Sequence, residues 1–381
     1  MAVEPHPYRR WIHRHPKKIL FLFVLVTICL LDLFCTGVYH LIKCGTIHKY
    51  GGQRALSEKS SVFHHTLKPR VHLEDFRWAG RTYPVSTNSL GFKDRAVREV
   101  PLTASRYRIL FMGDSFTQGI GCEYDKTFVG LIGSALARND IEVLNGGVVL
   151  YSPAIYFKKT EYLVSRVGLR FDHLVVFLDI SDIHDEAKVY DIRDGRVVWI
   201  AGGGPAAMAF LYEYTTIPRN ILGLVSRLKA KLTNAPNADR TEEDKRYGIN
   251  DYQSLWTVDP AAYSGYGEVG LQRAKNHMSL LAGLLKRHRI GMTLVVYPWP
   301  DQIVRHDLDS IQVNVWRDWA AEHSVHFINL FPDFIKPQQD PKAVIRRYFI
   351  PFDIHWNEEG HRLVAARFLA QCQEMTHLAD F

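Results

Sequence analysis

The sequence predicts an α/β fold, a three-layer sandwich around a five-stranded parallel sheet, preceded by one transmembrane helix. Three observations carry this expectation. Short apolar runs alternate with intervals of helical period through the last two thirds of the chain. A 21-residue apolar stretch lies near the N-terminus. Composition is that of an ordinary globular protein, with 47% hydrophobic and 23% charged residues over 381 positions.

The apolar stretch covers residues 19–39 and carries one charge, Asp32. At about 1.5 Å per residue it is long enough to cross a hydrocarbon layer of about 30 Å. A cleaved leader is the alternative, but the run exceeds the usual leader core and no A-x-A site follows it. Five basic residues (Arg9, Arg10, Arg14, Lys17, Lys18) precede it and three (Lys43, Lys49, Arg54) follow. The positive-inside rule therefore places residues 1–18 in the cytoplasm and the main domain outside, which in a bacterium is the periplasm. Asp32 marks either a helix partner in the membrane or a wet interface.

The formal net charge of +7 resides mostly in this N-terminal part. Residues 1–54 hold eight Lys/Arg against Glu4 and Asp32, leaving +1 for the remainder. No basic face calls for a nucleic acid. Of five cysteines, Cys29 and Cys35 lie in the span, Cys44 just beyond it, and Cys122 and Cys372 in the main domain, either bridged or as two buried thiols. No spacing suits zinc, and neither a metal nor a cofactor is expected.

Residues 40–104 read as a polar, irregular linker and edge segment. The main domain follows at 105–381. Strands are expected at 108–112, 141–144, 173–178, 292–297 and 325–329, and helices at 127–137, 154–167, 271–287, 311–323 and 358–372. About 90 residues interrupt this rhythm, and an insertion is expected at about 186–265. Within it, 206–232 has helical period and 234–246 is polar and mobile.

The most informative segment is Ile109-Leu110-Phe111-Met112-Gly113-Asp114-Ser115, an apolar strand running into a turn. Ser115 then stands at the carboxyl end of a parallel strand, where open α/β sheets bind ligands. A serine capping the next helix is the plain alternative. The C-terminal segment Phe352-Asp353-Ile354-His355-Trp356 shifts the balance. A serine hydroxyl needs a base, and the imidazole needs a carboxylate to hold its tautomer. Ser115, His355 and Asp353 supply those three groups. His361 lies inside the following helix and reads as packing or surface. His184 and Asp185 read as a solvated loop, and Trp299 and Trp356 as aromatics able either to stack on a sugar or to pack on the domain.

With these residues the chain resembles the SGNH (GDSL) hydrolase superfamily over about residues 105–375. Gly113-Asp114-Ser115 matches the first block and Asp353 with His355 the last. Asn145-Gly146-Gly147-Val148 is similar to the second block and makes Gly147 the candidate oxyanion donor beside Ser115. Ser181 stands where the family carries the Asn of its third block, whose amide completes the oxyanion hole, and the resemblance makes its hydroxyl a candidate third donor on a shorter arm. The resemblance implies a flavodoxin-like sandwich and an acyl-Ser115 intermediate. It further implies a substrate bearing O-acyl, especially O-acetyl, groups on extracytoplasmic carbohydrate, with a membrane acyltransferase as a partner. Hydrolysis and acyl transfer share that intermediate and stay open. A weakly active or inactive polysaccharide-binding or assembly protein is the other reading, motivated by Ser181 and the insertion.

Overall fold

The computed structural model describes residues 15–45, 52–200, 215–216, 220–221, 224 and 240–374. The chain divides into two units, one of 1–47 with 202–238 and one of 48–201 with 239–381.

In the first unit, helix α1 (Pro16–Gly45) carries the apolar stretch, and its residues 16–38 are long and apolar enough to cross a membrane. Its large side chains, including Phe21, Phe23, Leu30 and Phe34, are exposed. Asp32 Oδ1 accepts a hydrogen bond from the Thr216 amide at 3.0 Å, and Thr36 and Thr216 pair through their hydroxyls. Most of 206–232 lies outside the described residues.

The second unit is built on one eight-stranded sheet: β1 (His72–Trp78), β2 (Arg81–Thr87), β3 (Lys93–Asp94), β4 (Arg108–Gly113), β5 (Glu142–Asn145), β6 (His173–Leu178), β7 (Gly291–Val296) and β8 (His326–Asn329), in the order β8-β7-β6-β4-β5-β3-β2-β1. The five strands β4 to β8 are parallel and coincide closely with the five expected. The sheet is wider than expected because residues 72–94, read as irregular, add three antiparallel strands. A register shift between Leu73 and Phe76 breaks the alternation that would have marked β1 as a strand.

Around the sheet lie α2 (Ser115–Gln118), α3 (Phe128–Leu136), α4 (Pro153–Tyr162), α5 (Asp182–Lys188), α6 (Glu268–His288) and α7 (Ile311–His323), before α8 (Glu358–Glu374) closes the domain; of these α3, α4, α6, α7 and α8 follow the sequence pattern. Right-handed crossovers put α3 and α8 on one face and α4 to α7 on the other. On the first face Phe128 and Phe368 pack over Phe111 of β4 and Phe177 of β6. Between β4 and its neighbours β5 and β6 the chain reverses direction across the sheet. Ser115 sits at that switch point, where the carboxyl ends of strands leave a crevice.

Two expectations are corrected. His184 and Asp185 lie on α5, not in a solvated loop: Asp185 is buried and His184 packs between Tyr252 and Tyr266. The polar stretch 234–246 contains, in its described part, the start of an ordered helix, Glu242–Tyr247, capped reciprocally by Thr241 and Asp244. Of the two states open for Cys122 and Cys372 the structure has the free thiols, Cys122 buried and Cys372 partly so.

Candidate active site

The site is assembled by two short segments 240 positions apart in sequence. Strand β4 ends at Gly113, whose missing side chain lets Thr117 of α2 fold back; a Cβ there would stand 2.1 Å from the Thr117 hydroxyl oxygen. Asp114 caps α2 by accepting the Phe116 amide at 2.9 Å. Ser115 is thereby held at the first turn of the helix.

The second segment is the loop before α8. His355 Nε2 lies 2.8 Å from Ser115 Oγ, and His355 Nδ1 lies 2.5 Å from Asp353 Oδ1. Asp353 also accepts the amides of Ile354 and His355 on Oδ1 and the indole N–H of Trp78 on Oδ2, at 2.9 Å. With these donors around it the Asp353 carboxyl is held at about 2, against the opposing effect of burial. Trp78, at the end of β1, also sets its ring edge-on to His355 at 5.6 Å between centroids. Sequence reasoning missed Trp78, because nothing in a segment without clear periodicity ties it to a motif 275 residues away.

Ser115 Oγ has a second neighbour, Asp114 Oδ2 at 3.1 Å. Burial and the nearby Asp179 carboxylate push Asp114 well above the usual carboxylate range. Asp179 is the better candidate of this pair to hold the charge, since it accepts the Ser181 amide and hydroxyl and the Trp299 indole. Raised in this way, Asp114 competes less for the serine proton than an ordinary carboxylate would.

The expected oxyanion donors are placed unequally. Gly147 lies against α2, where a Cβ would stand 2.7 Å from Thr117 Cβ and 2.8 Å from the Gln118 amide nitrogen. Its own amide donates to Asn145 Oδ1 at 3.1 Å, and Asn145 Nδ2 donates to Thr117 O. The carbonyl of the same Gly146–Gly147 peptide accepts from Lys159 Nζ at 3.2 Å. Burial lowers Lys159 to about 7. Ser181 does not present its hydroxyl to the serine: both its amide, at 2.7 Å, and its hydroxyl, at 2.6 Å, donate to Asp179 two residues earlier. The short side chain folds back on its own turn, as serines at strand ends readily do.

Trp299 and Trp356 are 1% and 0% exposed and cannot stack on a substrate. Trp299 spends its indole N–H on Asp179 at 2.7 Å, and Trp356 packs among Phe116, Phe128 and Tyr297. His361 is buried, accepts the Phe128 amide at 3.3 Å through Nδ1 and stacks on the Phe128 ring. Among the described residues, no group of three His, Cys, Asp or Glu side chains is arranged to hold a metal ion.

No protein-family model matches the sequence, and no curated protein matches it. Solved structures do. The chain is similar to esterases. It is 14% identical to Axe2, an acetylxylan esterase from Geobacillus stearothermophilus, with a TM-score of 0.39 over 71% of this chain and 96% of that one. It is 10% identical to TesA, with a TM-score of 0.38 over 70% and 98%. A lipolytic protein of the G-D-S-L family from Desulfitobacterium hafniense is 9% identical, with a TM-score of 0.36 over 69% and 98%.

Proposed function

We propose that the chain is a serine esterase or acyl transferase of SGNH type, anchored in a membrane through residues 19–39, that acts on O-acyl groups of extracytoplasmic carbohydrate. One observation supports this more than any other: the continuous hydrogen-bonded line from Asp353 through His355 to Ser115 at the carboxyl edge of a parallel sheet. In this reading His355 Nε2 takes the serine proton as Oγ attacks the ester carbonyl. The imidazolium, its Nδ1–H held by Asp353, then returns the proton to the departing sugar oxygen. A water or a second sugar hydroxyl releases the acyl group by the reverse sequence. Ser115 and Gly147 amides are the candidate donors to the oxyanion, the latter after leaving Asn145.

The carbohydrate assignment rests on the family resemblance of the Gly113-Asp114-Ser115 and Asp353/His355 blocks and on the outward topology. A second reading, a weakly active polysaccharide-binding or assembly protein, is favoured by the Ser181 hydroxyl and Gly147 amide both being engaged at rest. Hydrolysis of 4-nitrophenyl acetate by the full chain in detergent micelles separates the two. The esterase reading expects turnover that Ser115→Ala abolishes. A kcat/KM below about 10⁴ M⁻¹s⁻¹, or turnover that survives that substitution, favours the second.

A further inference from the structure

Beside the serine lies a cavity that the proposed chemistry does not use. It holds about 350 Å³ and is walled by Arg240, Lys245, Asp251, Phe352, Asp353 and Ile354. Asp353 belongs to both places, so the cavity is separated from the serine by one imidazole ring and two hydrogen bonds.

Three features of this cavity point to a ligand. Phe352 is 60% exposed although it immediately precedes the buried Asp353. Its φ of 60° is left-handed, a conformation that is a genuine outlier for a bulky residue. The backbone is held there by hydrogen bonds on either side, Phe352 N–H to Arg246 O at 3.0 Å and Asp353 N–H to Ile350 O at 3.1 Å, which keep the ring out of the core. Arg240 supplies the second feature. Its Nη1 donates to Asp251 Oδ2 at 3.0 Å, while its Nε is buried without a hydrogen-bond partner. The pair with Asp251 puts a guanidinium and a carboxylate on the cavity wall. The third is charge: Asp251 and Asp353 face the cavity and Lys245 is paired with Glu242, so the lining favours a neutral polyhydroxyl compound over an anion.

We propose that this cavity is a glycan subsite in which Phe352 takes the C–H face of a pyranose ring and Arg240 with Asp251 hydrogen-bonds its oxygens. An aromatic plane beside a paired guanidinium and carboxylate matches both surfaces of a sugar. The inference rests on the esterase reading for the purpose of the bound sugar, and on the cavity alone for its binding.

The test uses the full chain in detergent micelles and calorimetric titration with mono-O-acetylated methyl glucosides, mannosides and xylosides. Ser115→Ala prevents turnover during the titration. Binding of at least one of these compounds is expected, weakened about fivefold or more by adding Phe352→Ala or Arg240→Met and retained with Phe352→Trp. Absence of binding by every compound, or binding indifferent to Phe352→Ala, overturns the subsite. Binding that depends on Phe352 in a protein whose parent hydrolyses neither these esters nor 4-nitrophenyl acetate keeps the subsite and removes the esterase reading.

Discussion

Trp78 carries the most informative side-chain contact outside the two motifs. Its indole N–H saturates the Asp353 oxygen that faces away from His355, fixing the plane of the carboxylate. Trp78→Phe keeps the ring and removes the donor. We expect kcat to fall about tenfold with KM nearly constant in aryl acetate hydrolysis, since a hydrogen bond to a charged group contributes about 1.5–3 kcal/mol and part of that reaches the transition state. An unchanged kcat would mean that the amides of Ile354 and His355 suffice to hold Asp353. Asp114 makes the opposite case. If it is protonated beside Ser115, Asp114→Asn preserves its state, and turnover within about threefold of the parent is expected, while Asp114→Ala also loses the cap on α2, worth about 1 kcal/mol. A hundredfold loss in Asp114→Asn would show that a carboxylate is needed there. Ser115, Asp353 and His355 were legible because each motif is local in sequence. Of the two readings open for Trp356, packing holds, because a residue next to His355 on extended backbone points to the opposite side, here into the core among Phe116 and Tyr297.

Elements decide which motif residues can meet. The turn after β5 reaches the start of α2 only because position 147 lacks a side chain. Gly147→Ala drives a Cβ into Thr117 and the Gln118 backbone, and a lower urea midpoint is expected, corresponding to about 1–3 kcal/mol, together with loss of esterase activity. Gly146→Ala is the control, because its Cβ would meet the Leu110 side chain and the Phe111 carbonyl at 3.1 Å and needs a smaller adjustment. Equal stability of the two variants would contradict this packing. The parallel strands and their helices were readable from alternating periodicity. Strands β1 to β3 were not, since β1 shifts register midway and β3 spans only two residues. Their consequence is functional, because β1 delivers Trp78. Helix α5 was hidden for another reason: His184 and Asp185 look hydrophilic, yet their neighbours Ile183 and Glu186 are fully buried, Glu186 accepting from Ser152, Ala154 and His277.

Across the whole molecule, burial of neutral imidazoles ties stability to pH. Burial holds His361 at about 3, and His65 and His173 at about 4. A lowered imidazole pKa means that the unfolded chain binds the proton first, so each group's contribution shrinks as pH falls below about 6.5. Buried Asp114 and Asp182, raised in the folded state, act with the opposite sign over the range above the ordinary carboxylate value. One residue therefore has to be isolated. The stability gap between the parent and His361→Gln is expected to narrow by about 2 kcal/mol from pH 7 to pH 5 in urea unfolding. A gap independent of pH would contradict a buried neutral His361.

The line from Asp353 to Ser115 is tested most directly by covalent labelling of the full chain with a fluorophosphonate, read by mass spectrometry of its peptides. A reagent of that class reports an activated serine whatever the natural acyl donor. One adduct on Ser115 is predicted, absent in Ser115→Ala and formed at least about a hundredfold more slowly in His355→Ala, whose serine has lost its base. Labelling of another residue, or an equal rate on Ser115 without His355, would contradict the proposed chemistry.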